Sequence, residues 1–294
     1  MRITKRGNLK LAVRVVATLI AFMISSGNLW AVSRWEEVRL FDLAKGEDVP
    51  LSRAIYEIGG KNLILVGEQH AQEHNHEAQL LIIKALRETG VPVAIGLEMF
   101  STNSQKALDQ WVRGDMDEAE FQKIYYENWS FPWPLYRLIF NYAQDMKIPL
   151  VGLNLPRAIT EQVARKGFES LSEEQKRQLP VVECTVDPDY MAFIKRAHES
   201  HAHSQFDFTY FCEAQLLWDK VMAVHALAYL EANSRFSMVL LTGTAHAWKM
   251  GIPAQIRKRS GLSYVVILPQ VPRDIEKGNI IQQDADYLIL ALPK

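Results

Sequence analysis

Cysteine is scarce in this sequence: there are two in 294 residues, Cys184 and Cys212. Neither belongs to a C-x-x-C spacing, so a paired-thiolate metal site has no motif to rest on. Two thiols do not make a stapled framework either, and a chain this long buries a core without one. A single Cys184–Cys212 bridge stays open for an exported chain. Low-complexity tracts, internal repeats and Pro/Gly/Ser linkers are missing, so nothing marks the chain as a string of modules. An excess of basic charge is missing too. With 33 basic and 34 acidic residues, there is no electrostatic case for nucleic acid.

The first 31 residues differ from the rest. Arg2, Lys5, Arg6, Lys10 and Arg14 form a basic start without an acid. An apolar run, Val15 to Ile24, follows, and then small and polar residues up to Ala31. That order is expected of a secretory signal peptide, and the apolar run is short for a bilayer span. An uncleaved anchor is the alternative. No cysteine lies near the cut, so there is no lipobox, and no twin arginine is present. The expectation is an exported chain, periplasmic or at the cell envelope, with peripheral or no membrane contact. Cleavage removes five basic residues and leaves 28 against 34, a net charge of −6. Residues 32–294 then form a single domain.

Short apolar runs stand at wide intervals: Asn62–Val66, Val93–Leu97, Pro149–Leu153, Met238–Leu241, Tyr264–Leu268 and Tyr287–Leu292. Runs that are apolar throughout predict strands buried on both faces, as in a parallel sheet. Amphipathic patterns over Glu77–Glu88, Trp133–Met146 and Glu213–Asn233 predict helices between them. The fold class is therefore α/β: a mostly parallel central sheet with helices on both faces. Two spacers, at about 101–147 and 155–236, are too long for plain crossovers. They read as helical insertions over the carboxyl ends of the strands.

Those carboxyl ends carry the polar residues. The first run ends in Gly67-Glu68-Gln69-His70, the second in Glu98, the third in Asn154 and the fourth in Gly243-Thr244-Ala245-His246. Open parallel sheets bind ligands outside these ends, so Glu68, His70, Glu98, Asn154 and His246 are expected to converge. Glu and His together suit acid–base work on water, or a divalent metal held by His70, Glu98 and His246. Hydrogen-bonded turns would also explain them. His70-Ala71-Gln72-Glu73-His74 spells an inverted zincin motif. That motif needs both histidines on one helix, whereas His70 follows a strand and turn directly. His74 and His76 read as polar residues on a first helical turn.

Three further stretches stand out. Residues 196–203 hold His198, His201 and His203, and short His-rich tracts bind metal or haem iron, although a solvated loop explains them equally. Residues 128–136 make a stiff aromatic loop that suits a flat ligand or a lid packed on the core. On the third predicted helix, Gln215, Asp219 and Met222 share one stripe, as support beneath a site or as an exposed face.

The strings GEQH, GLEMF, WSFPWPLYRLIF, PLVGLNLPR, EAQLLWDKVMA and GTAHAWKMGIP, in this order, resemble the ChaN-like haem-binding uptake family of the Tiki superfamily. The resemblance covers roughly residues 60 to 270. It implies an α/β fold with helical insertions, an export signal, and haem or iron acquisition at the bacterial cell envelope. It further implies a dimer holding two stacked haems, with a tyrosine ligand near histidine. Tyr136 and Tyr210 are the tyrosine candidates by their surroundings, with His201 and His203 as partners. The missing lipobox departs from the lipoprotein member type and puts lipid anchoring in doubt. The wider superfamily is similar to erythromycin esterases and Tiki-type metal-dependent proteases, whose hydrolytic residues map onto Glu68, His70, Glu98 and His246. Two functions are therefore expected in competition: an exported haem-binding protein, and a hydrolase using the Glu/His cluster.

Overall fold

The structure is a computed structural model that describes residues 34–180, 185–197 and 207–292. The expected signal peptide, Cys184, His201 and His203 lie outside the described residues. Among the described residues, eight strands form one sheet: β1 (Arg39–Asp42), β2 (Glu47–Pro50), β3 (Leu63–Glu68), β4 (Val93–Ser101), β5 (Leu150–Asn154), β6 (Ser237–Gly243), β7 (Tyr264–Pro269) and β8 (Tyr287–Ala291). Their order is β2-β1-β8-β7-β3-β6-β4-β5. The six strands from β8 to β5 are mutually parallel, and they are the six apolar runs of the sequence. β1 pairs antiparallel with both β8 and β2 at one edge.

The pleat sends alternate residues to two separate cores. Ile64 and Val66 of β3, Ile95 and Leu97 of β4, and Val239 and Leu241 of β6 join the first core. Leu63 and Leu65 of β3, with Met238 and Leu240 of β6, join the second. Both faces of the central strands are thus sealed, which is why those strands read as unbroken apolar runs. Each fully buried Leu, Ile or Val stabilises the fold by about 1.5–3 kcal/mol.

The helices divide between the faces. The first core is covered by α1 (Leu51–Gly59), α2 (Glu73–Glu88), α3 (Gln105–Arg113), α4 (Glu118–Asn128) and α5 (Trp133–Asp145). The second is covered by α6 (Arg157–Lys166), α8 (Pro188–Ala197), α9 (Phe208–Ala232) and α11 (Ile252–Arg257). Two short helices, α7 (Glu173–Arg177) and α10 (Thr244–Ala247), are the remaining α-helices among the described residues. The two insertions therefore each supply a helical layer as well as the segments that reach the carboxyl ends. No described helix is long and apolar enough to cross a membrane.

Candidate functional site

The pleat decides where the two strand-end glutamates point. Glu68 continues the series Ile64, Val66 and so faces α2 and α5. Glu98 follows Leu97 and, like Thr242 of β6, faces the α9 side. The two carboxylates serve opposite faces of one sheet, and both are buried, at 2% and 6% exposure.

Glu68 is saturated with donors. One oxygen, Oε1, accepts from the Tyr136 hydroxyl at 2.5 Å and from His70 Nδ1 at 2.8 Å. The other, Oε2, accepts from Gln79 Nε2 at 2.8 Å and lies 3.3 Å from His76 Nδ1. A carboxylate offers about four lone-pair positions, and here all are engaged. Burial would raise the Glu68 pKa, but hydrogen bonds from His70 and His76 outweigh it and hold the carboxyl well below its ordinary range. Burial, reinforced by the Glu68 charge, pushes the Tyr136 phenol far above its ordinary value, so it remains a donor.

Glu98 is anchored differently. Its Oε2 accepts from the Thr242 hydroxyl and from the Gly243 N–H, both at 2.6 Å. Its Oε1 lies 3.8 Å from His246 Nε2. On the far side of that ring, His246 Nδ1 meets Asp219 Oδ1 at 2.7 Å, and Asp219 Oδ2 accepts from Tyr190 at 2.5 Å. Burial opposes charge on His246, yet the two facing carboxylates raise its pKa to about 9. Asn154 belongs to the same framework, because its Nδ2 donates to the Glu98 carbonyl at 2.9 Å.

His70 sits in the turn after β3, and its ring leans across the end of β6. A Cβ at Gly243 would lie 3.0 Å from His70 Cε1 and 3.2 Å from Nε2, so the glycine makes room for the imidazole. The Trp129 ring meets His70 edge-on at 4.9 Å, and Phe131 packs at 5.0 Å. The aromatic stretch between α4 and α5 is thus a cover over His70. It is pinned by Tyr125, whose hydroxyl donates to the Phe131 carbonyl. Burial lowers the proton affinity of His70, but Glu68 and then Glu98 raise it above the ordinary histidine value.

The four strand-end residues are therefore brought together as two imidazoles, each backed by a carboxylate, beside Glu98. The divalent-metal expectation on His70, Glu98 and His246 finds no support: among the described residues, no three His, Cys, Asp or Glu side chains could hold a metal ion. The zincin spelling misleads, since His70 lies in a turn and the helix begins at Glu73. Tyr136, a haem-ligand candidate from the sequence, is fully buried, and its hydroxyl donates to Glu68. Tyr210 lies in the first turn of α9, nine residues or about 13 Å along the helix from Asp219. It is 37% exposed, and its hydroxyl makes no hydrogen bond among the described residues. Cys212 is a buried free thiol.

Sequence reading missed His76, Gln79 and Tyr190. His76 read as a polar residue on a first helical turn, with no role at the site, and it is 2% exposed. The signal was present: His76 and Gln79 share a helical stripe with Ile83 and Leu86, and polar residues on a buried stripe need partners. The stripe of Gln215, Asp219 and Met222 is buried, and Asp219 is the part of it that meets His246.

A family model described as haem-binding uptake, Tiki superfamily, ChaN, matches residues 54–256. The chain belongs to this family. The matched span contains every residue of the strand-end cluster described above. Among solved structures, ChaN of Campylobacter jejuni, in a structure of its cofacial haem binding, is 22% identical with a TM-score of 0.63. That match covers 86% of this chain and 96% of the other, and it shows the shared fold. An erythromycin esterase, EreC, in its open conformation is 14% identical over 82% of this chain and 78% of its own, with a TM-score of 0.48. The type III effector HopBA1 is 12% identical over 80% and 89%, with a TM-score of 0.45. No curated protein matches the chain.

Proposed function

We propose that this protein is an exported haem-binding protein of bacterial iron or haem acquisition at the cell envelope. Membership of the haem-binding uptake family supports the reading, and the observation that carries it is the first turn of α9. There Phe208 and Tyr210 are exposed at 41% and 37%, on a helix start fixed by Asp207, whose side chain accepts from the Thr209 and Tyr210 N–H groups. An exposed phenol fits one need of haem, an axial oxygen ligand, while Phe208, two positions earlier, faces another side of the helix. Tyr210 would hold the iron, with His201 and His203 as partners. When bound, the haem supplies a redox-active iron, and the protein carries it. A homodimer belongs to this reading.

The test is a haemin titration of residues 32–294 followed by visible absorption. A saturable, shifted Soret band at about one haem per chain, weakened in Tyr210→Phe, is expected. A spectrum that never saturates would end the reading. Sizing with and without haemin would report the dimer.

A second reading, a hydrolase for an ester or amide, is favoured by one observation. Each imidazole has a carboxylate behind it, and a haem carrier has no need of that arrangement. His246, protonated up to about pH 9, suits proton donation, and His70 Nε2 suits accepting a proton from water beside Glu98. An ester and peptide screen comparing wild type with His246→Ala checks it: equal turnover in both would remove His246 from any such role.

A further inference from the structure

The hydrogen-bond pattern around His76 settles its charge. Gln79 Nε2 faces two acceptors, the Val66 carbonyl at 3.2 Å and Glu68 Oε2 at 2.8 Å. Turning that amide over would set its oxygen against both, so Gln79 Oε1 is the atom 3.3 Å from His76 Nδ1. His76 Nδ1 therefore faces two oxygens that carry no hydrogen, Gln79 Oε1 and Glu68 Oε2, and must itself be protonated. On the other side of the ring, Nε2 meets the His70 carbonyl at 3.1 Å, which also only accepts. A neutral imidazole has one N–H, and this one needs two.

We infer that His76 is a positioning residue: a buried imidazolium that keeps Glu68 ionised and so holds His70 with its proton on Nδ1 and its Nε2 free at the sheet edge. The groups facing His76 are Glu68 of β3, the His70 carbonyl of the turn, Gln79 of α2 and the Tyr136 ring of α5 at 4.1 Å. None of them supplies a second cation. The inference gives the two glutamates different work. Glu68, with every lone pair engaged, orients His70 and takes no proton, whereas Glu98 keeps Oε1 open toward His246. It does not depend on haem binding.

The experiment is nitrogen-15 NMR of the histidine side chains in residues 32–294, from pH 6 to 8. His76 is expected to show both ring nitrogens protonated throughout, and His70 to show Nδ1 protonated. In His76→Gln, which keeps a donor but no charge, the His70 signals should move toward the mixed tautomers of free imidazole. A purely structural role for His76 would leave that tautomer where it is. A single protonated nitrogen on His76 at neutral pH overturns the inference, as does an unchanged His70 spectrum in a folded His76→Gln protein. If that variant does not fold, the wild-type His76 spectrum alone decides.

Discussion

Asp219 stands 2.7 Å behind His246, on the opposite side of the ring from Glu98. Asp219 comes from the middle of a 25-residue helix, and its second oxygen is closed by Tyr190. The imidazole is thus held between two carboxylates on different elements, and its proton affinity reports on both. In Asp219→Asn one of the two is gone. The His246 titration midpoint, followed by NMR, should drop from about 9 toward the ordinary 6.5. An unmoved midpoint would assign the whole effect to Glu98.

The same shift predicts how stability varies with pH. A histidine whose proton affinity is raised on folding stabilises fully below its unfolded value, near 6.5, and loses that contribution as pH climbs through about 9. The contribution is on the order of 3 kcal/mol. Urea unfolding between pH 6 and 10 should show wild type weakening over that window and His246→Asn holding level. Parallel curves would show that His246 carries no linked proton.

Glu68→Gln keeps the shape of the side chain and removes its charge. His76 would then be a buried cation without its partner, a loss of about 3–5 kcal/mol at neutral pH. Because the Glu68 pKa is depressed on folding, its contribution is present above the usual carboxylate range and disappears as pH falls below it. The difference between wild type and variant should therefore shrink in acid. A variant as stable as wild type at pH 7 would contradict the ion pair.

The two tyrosines separate by burial. Tyr136→Phe deletes a buried donor to Glu68 and should lower stability by about 1–3 kcal/mol while leaving a haem spectrum unchanged. Tyr210→Phe removes an exposed hydroxyl and should do the reverse. Absorption spectra and thermal melts of both variants check this, and a spectral change in the first variant alone would exchange the roles.

Gly243→Ala places a methyl 3.0 Å from the His70 ring. The ring must shift by a few tenths of an ångström, at about 1–3 kcal/mol. The expected result is a displaced His70 resonance in a protein that still folds. An unmoved resonance would mean that the backbone at Gly243 gives way instead of the imidazole.

The parallel sheet was legible because its strands are buried on both faces and so carry no alternation to confuse with a surface strand. The β1–β2 hairpin was not, since its strands are four residues each and partly exposed. Glu68, His70, Glu98 and His246 were legible for a topological reason: parallel strands end on the same side. His76 and Tyr190 lie on helices, and a helix has no such rule. Which turn of α2 meets Glu68 is fixed by how the helix docks, which no local pattern states. The zincin spelling fails for a related reason, since a motif defined on one helix is interrupted by a turn.

The placement of Glu68 and Glu98 on opposite faces of the sheet has a consequence for the order of assembly. The α2–α5 layer completes one imidazole and the α8–α9 layer the other, through contacts such as Tyr136–Glu68 and Tyr190–Asp219 that lie 68 and 29 residues apart. Without the α8–α9 layer, His246 lacks Asp219; without the α2–α5 layer, His70 keeps Glu68, but Glu68 loses Tyr136, His76 and Gln79. The full set of contacts around the two imidazoles therefore exists only in a chain with both layers docked.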